Sequence, residues 1–97
     1  MSINKEEELS NWQNELTKQK EDILRRKTII ENKLEKYNLR LDILKSAKID
    51  KNSDLFNQVQ NQVDQFEKEL NEFNEQNAQK LMEMETIIQR IEIQMTK

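Results

Sequence analysis

Residues 46–54, Ser46-Ala47-Lys48-Ile49-Asp50-Lys51-Asn52-Ser53-Asp54, are the only turn-like stretch in this chain. The segment is polar and carries the Ser, Asn and Asp that turns use to hydrogen-bond their own backbone. Ser53 and Asp54, ahead of Leu55-Phe56, read as a helix N-cap with an acid in the first turn. Asn52 is expected to take the left-handed residue's place, because no glycine is there to do so. The 97 residues contain no Gly and no Pro at all, where about 7% and 5% are ordinary. Sheets and tight hairpins need both. Removing them leaves long helices with few connections.

On each side of the turn the apolar residues recur in sevens. Before it, Leu9, Leu16, Ile23, Ile30, Tyr37 and Leu44 occupy one heptad position. An accompanying stripe starts with Trp12 and is polar through Gln19, Lys20, Arg26 and Lys27. It resumes with Leu34 and Leu41. After the turn, Phe56, Val63, Leu70, Asn77, Met84 and Ile91 form one position, and Val59, Phe66, Phe73, Lys80, Ile87 and Gln94 the other. Such repeats are the signature of coiled-coil seams. The expected helices cover roughly 4–47 and 53–95, with the turn at about 48–53 of a single 1–97 domain.

A turn this short forces the helices antiparallel. Leu44 then meets Phe56, Tyr37 meets Val63, Ile30 meets Leu70, Ile23 meets Asn77, Leu16 meets Met84 and Leu9 meets Ile91. The polar middles of the two stripes fall at one level, which supports this pairing. Charge agrees with it. Residues 1–48 carry 11 Lys and Arg against 9 Asp and Glu, whereas residues 49–97 carry 5 against 10. A slightly basic helix beside an acidic one is favoured over two acidic helices side by side. The predicted fold is all-α: a long antiparallel two-helix coiled-coil hairpin, completing a bundle with a partner or a second copy.

The apolar set is wider than one seam requires. Ile29, Leu39 and Ile43 are surplus on helix 1; Leu81, Ile88 and Met95 form a second stripe at a spacing of seven on helix 2. Surplus apolar faces mark helix–helix association sites, so these six residues, with Trp12, are the candidate partner-binding positions. Trp12 has two readings. Its spacing places it in the seam opposite Ile88, between Leu9 and Leu16; as the sole Trp it also suits an anchor for a partner. Asn77, alone among apolar residues in its column, reads as a register-fixing amide.

Enzyme chemistry finds little to use. There is no His and no Cys, no Gly-rich loop for phosphate, and no carboxylate in the seam positions of the kind di-metal bundles use. Glu6, Glu7 and Glu8 point in different directions around a helix and lack the paired, pocketed geometry of acid–base catalysis. No cofactor, metal or small-molecule substrate is expected. The one basic run, Arg25-Arg26-Lys27, lacks interleaved aromatics in a chain of net charge −3, so it suits a solvated face or an acidic protein patch better than nucleic acid. No apolar run approaches the ~20 residues that span a bilayer, and the polar N-terminus lacks a signal-peptide core. The expected location is cytoplasmic, with export by a signal-peptide-independent route left open.

In size, in its two helices, and in a heptad-like seam without enzymatic motifs, the chain resembles the small helical hairpins of bacterial type VII secretion. Trp12 lies within helix 1 and the turn reads Lys51-Asn52-Ser53-Asp54, with no Trp-x-Gly turn. The resemblance therefore points to the helical partners of LXG toxins. It implies an adaptor or targeting chaperone that docks onto helices of a client such as an exported toxin. The turn and the start of helix 2, Lys51 to Phe56 with Val59-Gln60, also resemble the polar turn and following helix of type III needle subunits. A coiled-coil stalk subunit and a phage-type inhibitor of a host protein are the alternative functions.

Overall fold

The computed structural model describes residues 3–96. It consists of two long helices, α1 (Lys5–Ser46) and α2 (Asp54–Met95), folded as an all-α helical hairpin. Among the described residues there is no strand.

α1 begins at a side-chain cap. Asn4 Oδ1 accepts the backbone N–H groups of Glu6 (3.1 Å) and Glu7 (3.2 Å), and the Asn4 carbonyl accepts that of Glu8 at 3.0 Å. Two otherwise orphaned donors are satisfied, and three acids sit in the positively polarised first turn. At α2, the Ser53 carbonyl accepts the Asn57 N–H at 3.0 Å, and Asp54 supplies the first-turn acid.

The end of α1 differs from the sequence expectation. The left-handed residue is Lys48, at φ 58°, and not Asn52. Lys48 N–H donates to the Lys45 carbonyl (3.1 Å) and Ile49 N–H reaches back to the Leu44 carbonyl (3.0 Å). These two reversed bonds make a Schellman motif, which needs positive φ at the residue just past the helix. Asn52 serves the next turn instead: its N–H donates to Asp50 Oδ1 at 2.9 Å, while the Ser53 N–H donates to the Asp50 carbonyl at 2.9 Å. An Asx turn occupies Asp50 and Asn52, so the strained position falls one turn earlier, where α1 must stop.

The chain forms two compact units. The turn-proximal unit, Arg26–Asn74, has its own apolar core. Leu41, Phe56 and Val63 are buried together there, Val63 to 2% exposure, with Leu34, Tyr37, Leu44 and Val59 packed around them. Two of the expected pairs, Leu44 with Phe56 and Tyr37 with Val63, belong to this cluster. Tyr37 stacks on Phe66 with ring centroids 5.5 Å apart and 14° between planes. Full burial of such side chains is worth about 1.5–3 kcal/mol each.

The second unit joins the described residues up to Arg25 with those from Glu75 onward. Leu16, Ile23, Met84 and Ile91 are buried in it. Across the two helices, Gln13 Nε2 donates to Glu92 Oε1 at 3.2 Å, and Lys20 Nζ forms an ion pair with Glu85.

The second column of each seam is placed differently from the sequence expectation. On α1 it runs four residues after the first throughout, so Gln13, Lys20 and Lys27 are half-buried whereas Gln19 and Arg26 are exposed. Trp12 is 43% exposed and lies outside the column. On α2, Val59, Phe66 and Phe73 are half-buried as expected, but Lys80 is exposed and its neighbour Leu81 takes the inward place. The reason is angular: one residue is about 100° of helix, so a column that started with Trp12 and continued through Leu34 would jump off its face. Gln and Lys can occupy an inward column because their apolar stems pack while their polar heads reach out to a partner.

Candidate functional site

The functional surface must be sought in the side chains the seam leaves over. In the turn-proximal unit, Leu39 (59% exposed), Ile43 (69%) and Leu55 (57%) stand out from the two helices. Together with Arg40, Leu44 and Val59 they line an open, almost wholly apolar groove. Its floor is set by the seam residues Leu44 and Val59, and its rims by residues one helical turn apart on α1 and by the first turn of α2. Ile29, also exposed, lies on the same helix further from the turn. Exposed apolar side chains gathered in one groove are a common mark of an interaction surface.

Leu55 was not among the residues that the sequence singled out. Its signal was present: it immediately precedes the seam residue Phe56 and belongs to neither apolar column of α2. An apolar residue beside a seam, and one turn from other surplus residues across a short connection, could have been recognised from the pairing alone.

The opposite flank of α1 in this unit is different in chemistry. Glu31, Glu35, Asn38 and Asp42 line a second hollow with Leu34, Leu39 and Leu70. Leu39 therefore stands on the ridge between an apolar groove and an acidic one.

In the other unit a further apolar groove is lined by Leu9, Trp12, Thr86, Ile87, Arg90, Ile91 and Gln94. Leu9 and Ile91, expected to face one another, both line this groove. Trp12 covers the edge of the groove with much of its indole open to solvent, a placement that suits contact with a partner better than seam filling. Of the α2 stripe, Leu81 and Ile88 are half-buried and Met95 is 40% exposed. The sequence ranked this stripe first and Ile29, Leu39 and Ile43 second; by exposure the order is reversed. Met82 and Ile93 are additional exposed apolar residues of α2.

Electrostatics in this unit centre on Glu85. The Lys20 ammonium, through its hydrogen bond and its charge, holds the Glu85 carboxyl below its ordinary value; desolvation opposes this, and a hydrogen bond from Gln89 adds a smaller push downward. The pair ties α1 to α2 at a level where both columns are weakly apolar.

Among the described residues no group of three or more potential metal ligands is gathered, and no helix is long and apolar enough to cross a membrane. Glu6, Glu7 and Glu8 are exposed in the first turn of α1. Comparison with protein-family models, with curated proteins and with solved structures returns no match for the chain.

Proposed function

We propose that the chain is a non-enzymatic protein–protein interaction module, an adaptor or targeting chaperone whose helical faces dock onto helices of a client such as an exported toxin. The observation that carries this reading is the groove of Leu39, Ile43 and Leu55, three large aliphatic side chains left more than half exposed beside a seam that buries its own. A helix entering that groove with residues at i, i+3 and i+4 would cover apolar surface on both molecules. The groove that Trp12 lines with Leu9, Ile87, Ile91 and Gln94 offers a second contact area, and Met82, Ile93 and Met95 are further exposed apolar residues of α2. The client, the adaptor role and export without a signal peptide rest on the resemblance of the sequence to type VII hairpins.

The test is co-expression with the product of the adjacent gene, followed by measurement of complex mass by light scattering. Ile43→Asp should abolish a complex formed by the wild-type chain while leaving its circular dichroism unchanged, because Ile43 is 69% exposed. Ile88→Asp should weaken the complex and also lower stability, since that residue is partly inside the seam. A complex indifferent to Ile43→Asp and to Trp12→Ala would remove the assignment. A tight homo-oligomer that binds no neighbour would instead support a self-assembling stalk.

A further inference from the structure

Between Arg26 and Ile43, four of the cations of α1 fall on one flank and the acids on another. From Arg26 to Ile43, the residues Arg26, Ile29, Lys33, Lys36, Arg40 and Ile43 follow one another at alternating spacings of three and four, which lines them up along one face of a helix. All six are exposed. The strip holds four cations and two isoleucines and no acid. The acids of the same stretch, Glu31, Glu35 and Asp42, line the hollow on the other flank.

Two observations show that the strip is not simply a set of ion pairs turned inward. Among the described residues, none of these four cations has a carboxylate within salt-bridge distance. Three of them lie instead against the stacked aromatic pair: Lys33 Nζ is 5.7 Å from the Phe66 ring centroid, Lys36 Nζ 5.5 Å from that of Tyr37, and the Arg40 guanidinium 5.0 Å from that of Tyr37. Ring faces attract cations without neutralising them. The charged groups are thus held in a row with their charge still available. Arg40 and Ile43 are also part of the apolar groove, so the strip and the groove form one surface.

We infer that this surface takes an acidic amphipathic helix, its aliphatic residues seated on Ile29, Ile43 and the Leu39–Leu55 groove and its carboxylates set against Lys33, Lys36 and Arg40. The inference rests on the interaction-module reading and adds the chemistry of the partner. The alternating isoleucines favour a helix over a nucleic acid, whose backbone offers charge and no aliphatic edge. A partner of the opposite sign gains complementarity along the whole row, whereas a basic helix meets four like charges.

Fluorescence anisotropy with three labelled synthetic helices tests this. They share one leucine stripe and differ only in flanking residues: Glu, Gln or Lys. The full-length chain should bind the Glu peptide about fivefold more tightly than the Gln peptide at low salt, the effect expected of three solvent-exposed ion pairs. That advantage should vanish near 1 M salt. The Lys peptide should bind weakest. The Lys33→Glu, Lys36→Glu, Arg40→Glu variant, checked for unchanged helicity, should invert the order; the corresponding Gln variant should level it.

Equal binding of the Glu and Gln peptides would overturn the charge assignment and leave the interaction-module reading in place. Binding of none would remove both. Two other results would also overturn the proposal. One is a homodimer that the charge-reversed variant dissociates, which would make a second copy the occupant. The other is tighter binding to a short DNA duplex than to the Glu peptide.

Discussion

Replacing Lys48 with glycine should stabilise this protein. Lys48 is the one described non-glycine residue with positive φ, at 58°, and its backbone is held there by the bonds Lys48 N–H to the Lys45 carbonyl and Ile49 N–H to the Leu44 carbonyl. A residue with a Cβ pays roughly 1–2 kcal/mol for the left-handed region. Glycine removes that strain but brings about 0.4–1 kcal/mol of extra unfolded-chain entropy to overcome. The net gain is roughly 0.5–1 kcal/mol, or several degrees in Tm for a chain of this size. Urea and thermal melts followed by circular dichroism give both quantities. Lys48→Ala, which keeps the Cβ, is the control and should change stability little. Asn52→Gly should gain less than Lys48→Gly. If Lys48→Gly melts at or below the wild-type temperature while Asn52→Gly rises, the left-handed cap belongs where the sequence first suggested it.

Other outcomes follow from the same geometry. Phe56→Ala, which empties part of the buried cluster with Leu41 and Val63, should cost about 3–5 kcal/mol in urea denaturation, and a loss below about 1 kcal/mol would contradict the packing described. Asn4→Ala removes the acceptor for two backbone donors and should cost about 1 kcal/mol, with faster amide exchange confined to the first turn of α1. Glu85 has its folded pKa lowered by Lys20, so its contribution is complete above the ordinary carboxylate value and is lost as pH falls through the depressed one. The stability difference between wild type and Glu85→Gln, read from melts across that acidic range, should therefore shrink as pH falls; a difference that grows on acidification would refute the pairing.

The helices themselves were legible because their signals are redundant. The only cluster of turn residues, Ser46–Asp54, separates two heptad patterns, and the structure ends and restarts helix at Ser46 and Asp54. The inner column was equally plain: Leu16, Ile23, Ile30, Phe56, Val63, Met84 and Ile91 are buried, and Leu9, Tyr37, Leu44, Leu70 and Asn77 are half-buried. The second column was not, because size misled. Trp12 attracts attention as a large apolar residue near Leu9, but the helix angle assigns the inward place to Gln13, whose amide reaches Glu92. On α2 the exchange of Lys80 for Leu81 turns on a single residue of spacing. The site was half visible. Ile29, Leu39 and Ile43 could be picked out as surplus, whereas Leu55 and the row of cations emerge only when both helices are placed and the aromatic pair beneath Lys33, Lys36 and Arg40 is seen.

The reversal at Lys48 also sets an order of events. Contacts beside it join residues close in sequence, such as Leu44 and Phe56, while Gln13 and Glu92 lie 79 residues apart. Closing a loop grows dearer with its length, so the first lasting contacts should nucleate at the bend and spread outward like a closing zip, the terminal arms last. The same gradient run backwards makes those arms the first to loosen: pulsed deuterium labelling during refolding should protect amides of Arg26–Asn74 ahead of the rest.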